Sequence, residues 1–248
     1  MTLQDFSDNF DTLLNSYAVT AGFGSTDNPT SVELTEYEKS VFLTKAQEEE
    51  ILSLYNGKNP YGESFEQTEE MRRYLAPLVE TVELEPITNS SNQPLGINSS
   101  SKFFSLPDGS DENNPAVWFL IYESVTVTNS ECASMASQEV YPVRHDEYSK
   151  IKKNPFRGAN DRRALRLDLS DNVVEIISNH PVTKYLIRYL RKPSPIILSN
   201  LSDDNTIDGK TEASESFDIP EQLHQKVLER AVMLALRTKG IKINNENR

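Results

Sequence analysis

The chain has 248 residues, and its hydrophobic fraction of 37% and mean hydropathy of -0.55 describe a chain with long polar loops around a core of ordinary size. Its formal net charge of -13 argues against general DNA binding and against acidic membrane surfaces, and no stretch approaches the roughly 20 apolar residues of a membrane span. One cysteine, Cys132, excludes an internal disulfide, and the acidic start MTLQDFSDNFDTLL does not read as a signal peptide, so synthesis in a reducing cytoplasm is expected.

In chain order, the first ~85 residues read as helical. Thr2 caps a helix carrying Leu3, Phe6, Phe10, Leu13, Leu14 and Tyr17 at helical spacing. A loop over 20–32 precedes a second helix, opened by a Thr35–Glu38 capping box and ended by Gly57. Thr44 with Gln47 suggests a break. A third helix is expected from Ser64, through Met71, Tyr74 and Leu75, to a stop near Pro77.

Residues 88–115 form a polar insert whose Phe103 and Phe104 suggest contact with a partner. Strands are expected over Val117–Val127, Glu139–His145, a 164–177 hairpin, Thr183–Leu190 and Ile196–Leu198. A second loop, 199–217, leads to a helix over 218–240, with Asp218 and Glu221 as its capping box and Leu223, Val227, Leu228, Ala231, Leu234 and Ala235 as its apolar face. The fold class is therefore α+β: N-terminal helices (1–87), a central, mostly antiparallel β-region (116–198) and a C-terminal helix returning to the helical part.

No motif announces chemistry. His145, His180 and His224 lie at no metal-ligand spacing, Gly22-Phe23-Gly24 lacks a phosphate-loop lysine, and no nucleophile elbow is present. The expectation is no catalytic residue, no metal and no cofactor. An enzyme would require a pocket joining His145 or His180 to distant carboxylates.

The charge distribution is the most informative feature. Residues 144–192 hold 12 basic and six acidic groups, a net of +6 against -19 for the rest. Three readings stay open. Lys152, Lys153, Phe156, Arg157, Arg162 and Arg163 contact a neighbouring subunit in a head-to-side manner, the 150–166 segment binds nucleic acid, or the cations are neutralised within the molecule.

Three blocks carry a resemblance: LTEYEKSVFL at 34–43, YPVRHDEYSKIKKNPFRGANDRRALRLDL at 141–169, and IPEQLHQKVLERAVMLALRTKG at 219–240. They resemble the ring or head-to-tail connector proteins of crAss-like phages that infect gut Bacteroidales; the arrangement is also similar to podovirus head-to-tail adaptors. The resemblance implies a non-catalytic subunit of a virion ring, stacked beneath the portal protein, continuous with the tail barrel and forming part of the DNA channel wall. It further implies a homo-oligomer, with twelve copies matching a typical portal, partnered by other ring or tail proteins and passing DNA at ejection without specific binding or membrane contact.

Overall fold

Thr2 and Thr35 start two of the three long helices among the described residues as their side chains lead one to expect. In the computed structural model, which describes residues 1–20, 33–58, 62, 64–88, 94–110, 114–128, 135–169, 172–202 and 204–240, Thr2 Oγ1 accepts from the Asp5 amide at 3.1 Å and opens α1 (Leu3–Thr20). Thr35 and Glu38 form a reciprocal capping box on α2 (Glu36–Asn56), which closes on Gly57 at a φ of 71° that favours glycine. No break occurs at Thr44, which lies in mid-helix. Ser64 and Gln67 form a turn instead, and the third helix, α3 (Glu69–Leu75), starts later under a Thr68 cap and ends in a 3-10 turn, Ala76–Leu78.

The chain divides into two compact units, Met1–Leu78 with Pro193–Arg248, and Val79–Lys192. In the first, the C-terminal helix α5 (Glu221–Thr238) packs on α1 and α2, burying Leu223, Val227, Leu228, Ala231 and Ala235. It begins two residues later than the Asp218 box predicts, with Pro220 and not Asp218 at the cap position. The Asp218 carboxylate accepts the Ser194 amide at 2.5 Å and is spent on that loop, so Pro220 stands at the cap position without a side-chain bond.

Ile196–Leu198, expected as a strand, is a buried segment that pairs with no strand among the described residues. Helix hydroxyls take the partner's place: Thr44 Oγ1 accepts from the Ile196 amide and Ser40 Oγ from the Leu198 amide, both at 3.0 Å. Such bonds satisfy backbone groups that burial would otherwise leave unpaired. Within the 199–217 loop, Asp208 and Gly209, with φ of 50° and 75°, make a tight two-residue turn between the bridged pair Ile207 and Lys210.

The second unit is a seven-stranded sheet in the order β1-β7-β3-β4-β5-β6-β2, antiparallel except for the β4–β5 pair. The strands are β1 (Val79–Leu84), β2 (Lys102–Ser105), β3 (Val117–Thr128), β4 (Met135–Pro142), β5 (Arg163–Asp168), β6 (Val173–Ile177) and β7 (Val182–Arg191). β1 corrects the helical reading of 79–85: VETVEL alternates, and Val82 and Leu84 pack on the sheet core. β2 corrects the reading of 88–115 as loop throughout, and the sheet accordingly starts at 79, not 116.

The sheet rolls onto itself. β2 and β7 are five strand spacings apart in the order, about 24 Å if flat, yet the Phe104 and Tyr185 rings lie 5.2 Å apart. The Ile87 amide donates to the Phe103 carbonyl at 2.8 Å, joining the segment after β1 to the outer edge of β2. Three register shifts along the β3–β7 pairing supply local bending. The rolled interior holds Phe104, Val125, Val127, Val140, Val174, Ile176, Tyr185, Ile187 and Tyr189. It also holds one ion pair, Arg166 with Glu123, in which the Tyr185 hydroxyl donates to the same carboxylate.

Candidate subunit interface

The outer face of β5 and β6 carries the basic segment. Leu165, Leu167 and Ile177 point outward, opposite to Ala164, Val174 and Ile176 in the interior, as strand alternation requires. They are covered by a helix, α4 (His145–Ile151), through the buried Tyr148 and part-buried Ile151. This helix corrects the strand expected to run to His145. Asp146 and Glu147 occupy its first turn and Lys150 its last, the charge order a helix dipole favours.

Beyond α4 the chain is tightly bonded. The Asn154 side-chain oxygen accepts from the Phe156 amide at 2.9 Å and the Arg157 amide at 3.3 Å, and its carbonyl accepts from the Gly158 amide at 2.8 Å. Gly158 has no room for a side chain: a Cβ would stand 2.9 Å from the Asn154 carbonyl oxygen and 3.3 Å from that of Ile151. Asn160 receives the Arg162 amide at 2.9 Å. Phe156, 85% exposed, is thus held in water at the tip of a braced loop.

The candidate contact residues separate into three groups. Lys153, Arg157 and Arg162 are exposed, and their side chains have no ion-pair or hydrogen-bond partner among the described residues. Lys152 sits 5.9 Å from the Tyr148 ring centroid, and the Arg163 guanidinium stacks 4.2 Å from the Tyr141 ring while donating to the Phe156 carbonyl at 2.9 Å. Phe103 and Phe104 do not belong with them. They are 3% and 0% exposed on opposite faces of β2, Phe103 opposite Glu175 and Phe104 opposite Val174, and serve the core instead of a partner.

Not all of the local positive charge is free. Lys184 pairs with Glu83 at 2.7 Å, Arg191 with Glu80 at 3.7 Å and Arg144 with Asp146 at 3.1 Å, while Arg166 is buried. Across the whole second unit, 13 basic residues face 15 acidic ones, whereas the first unit holds 12 against 23. The asymmetry of +6 and -19 therefore contracts to a local cationic loop on a nearly neutral unit, with the acidic excess in the other.

The histidines each have structural surroundings. His145 Nε2 lies 2.7 Å from the Asp168 carbonyl and His180 Nε2 3.0 Å from Asp161. His224 is buried against Phe6 and Phe217, and burial pushes its imidazole below the ordinary histidine range. No cluster of three metal-ligating side chains occurs among the described residues, and Cys132 lies outside them.

Comparison with known proteins bears on the whole chain. The family model described as phage tail ring protein 3/4 matches residues 1–247. Ring protein 3 of Bacteroides phage crAss001 is 42% identical over 242 residues, covering 96% of each chain. Ring protein 4/5 of the same phage is 30% identical over 244 residues, covering 95% of this chain and 92% of its own. The three blocks that carry the resemblance thus sit in a match running almost end to end, and the chain belongs to the phage tail ring protein 3/4 family of crAss-like phages, as a structural ring subunit of the virion.

Proposed function

We propose that this ring subunit links the phage portal to the tail, lines part of the DNA channel, and contacts its neighbours through Lys152, Lys153, Phe156, Arg157, Arg162 and Arg163. The carrying observation is the braced 152–163 loop. It holds a phenylalanine 85% exposed, beside three cations that have no internal partner among the described residues. A monomer gains nothing from that arrangement, since an exposed phenylalanine forfeits the transfer energy its burial would supply. In a ring of like copies each -13 chain meets another, and a cationic loop against an acidic surface lowers the cost of that approach. A net acidic wall also lets a duplex slide without being held, because phosphate and carboxylate repel. Twelve copies, matching the portal, complete the reading, with synthesis in the host cytoplasm before incorporation into the neck.

Reconstruction of the intact neck by electron cryomicroscopy is the test. The expected result is a twelve-fold ring against the portal with the 152–163 loop at a subunit boundary; a ring remote from the portal, or a loop in open solvent, refutes the reading. The unpaired cations also favour a second reading, an accessory nucleic-acid-binding protein using 150–166. A salt titration separates the two, since phosphate binding falls steeply with ionic strength and a protein that merely lines a channel shows no binding at low salt.

A further inference from the structure

The loop from Pro94 to Ser101 is held by a carboxyl group the fold has no other use for. Glu175 on β6 is 0% exposed and has no cation beside it among the described residues. One of its oxygens accepts from the Ile97 amide at 2.8 Å and from the Ser101 hydroxyl, and the other has no partner among the described residues. Ser101 in turn receives the Asn98 amide, and Ser100 donates to the Ser178 carbonyl at 3.1 Å. Gly96 closes down on Phe103, where a Cβ would lie 3.1 Å from the ring. The product of this bracing is Leu95, 98% exposed, and Ile97, 51% exposed. Burying a carboxyl without a counter-charge costs stability; the loop it holds covers Phe103, and beyond that cover it fixes two apolar side chains in water.

This loop is continuous with the cationic one. The Tyr148 phenol lies beside Asn98 and Glu175 on one side, and its ring faces Lys152 on the other. Ser178 and Asn179 tie the two loops along a second route: the Ser178 carbonyl accepts from the Ser100 hydroxyl, and Asn179 Nδ2 donates to the Ala159 carbonyl at 2.9 Å. Neither stretch contains an acid. None occurs between Glu85 and Asp108 or between Glu147 and Asp161, in a chain with 38 acidic residues. Two copies that each carry -13 repel, so they meet with least cost where one presents no carboxylate.

We infer that loop 94–101 and loop 152–158 form one preorganised docking surface, with Leu95, Ile97 and Phe156 as its apolar anchors, and that its occupant is a second copy of this chain, through the acidic unit that holds α1, α2 and α5. The inference rests on the ring reading above and extends it to a second loop. Glu175 is a positioning residue: it sets the angle at which Leu95 and Ile97 meet the neighbour, as rigid anchors lower the ordering cost of association.

The experiment pairs a side-chain-resolution reconstruction of virions with the double substitution Leu95→Ser, Ile97→Ser in phage. Both positions are solvent-facing, so the purified variant should unfold within a degree or two of the wild type while its incorporation into rings falls at least tenfold. Leu95 and Ile97 covered by another copy of the chain sustains the inference, whatever ring of the stack holds them. Covered by a different protein, or exposed while the 152–163 loop still touches a neighbour, they overturn it and leave the ring reading intact. Unchanged incorporation of the variant overturns it as well.

Discussion

Replacing Glu123 by Gln tests the claim that the rolled sheet depends on its interior ion pair. Glu123 and Arg166 have side chains 8% and 10% exposed, and the Tyr185 hydroxyl shares the carboxylate. Burial and the Glu123 charge together push the Tyr185 phenol far above its ordinary range, so the hydroxyl stays a donor at any accessible pH. Removing one member of a buried pair costs about 3–5 kcal/mol, because the other charge is stranded. Asp168, 2.8 Å from Arg166 Nε and 66% exposed, offers partial compensation, which places the expected loss near the lower end, about 3 kcal/mol. For a unit of about 110 residues this corresponds to a melting temperature lower by roughly 10–15 °C. Trp118, the single tryptophan, lies on β3 of the same unit, so its fluorescence reports this transition directly. The double substitution Glu123→Leu, Arg166→Met, made with Tyr185→Phe so that no buried hydroxyl loses its acceptor, should recover most of the loss, since well-packed apolar groups replace a buried pair at little cost. A Glu123→Gln loss below 1 kcal/mol, or a combined variant no better than the single one, would refute the argument.

Thr35→Ala should cost about 1 kcal/mol through loss of the α2 cap, measured by chemical denaturation. Because burial holds the His224 imidazole below its unfolded value, the unfolded chain binds more protons in acid; stability is full above about pH 6.5 and falls as the pH drops, and His224→Gln should flatten that part of the melting profile. Gly158→Ala forces a methyl against two carbonyl oxygens, and should destabilise by about 1–3 kcal/mol and weaken ring incorporation together. Charge reversal of Lys153 and Arg157, by contrast, should leave the unfolding free energy unchanged to within about 0.5 kcal/mol, and any assembly it weakens should be sensitive to salt.

What could be read before the structure was local. The Thr35–Glu38 box, the Gly57 cap and the apolar face of α5 each depend on residues within four positions of one another; the first two stand where expected, and the face does except that Leu234 is half-buried while Val232 and Leu236 are buried. Short elements in polar surroundings escaped: KFFS is four residues inside an insert rich in Ser and Asn, and HDEYSKI is two turns with one buried side chain. Its acidic first turn and closing lysine were the signal that could have found it. Ile196–Leu198 looks like a strand because a buried run has the same composition whichever groups bond its backbone. The interface reading was half legible. The cations of 152–163 are visible in sequence, but their distinction from Lys184 and Arg191 depends on β1 pairing with β7 across a hundred residues. Leu95 and Ile97 gave no hint, since nothing in a Ser- and Asn-rich tract predicts that a glutamate 78 residues on will pin it.

The sheet unit interrupts the helical one: the chain leaves the latter at Leu78 and returns at Pro193. During translation α1 and α2 are therefore completed long before α5, which must close over them. At roughly 5–20 residues per second the delay is on the order of 10–40 s. The β-unit has every strand by Arg191 and can fold in that interval, while Phe10, Leu14, Leu43 and Leu54 wait without a lid. A nonsense mutation between Lys192 and Glu221 would leave a finished sheet tethered to sticky, unfinished helices, so this subunit should be intolerant of C-terminal truncation.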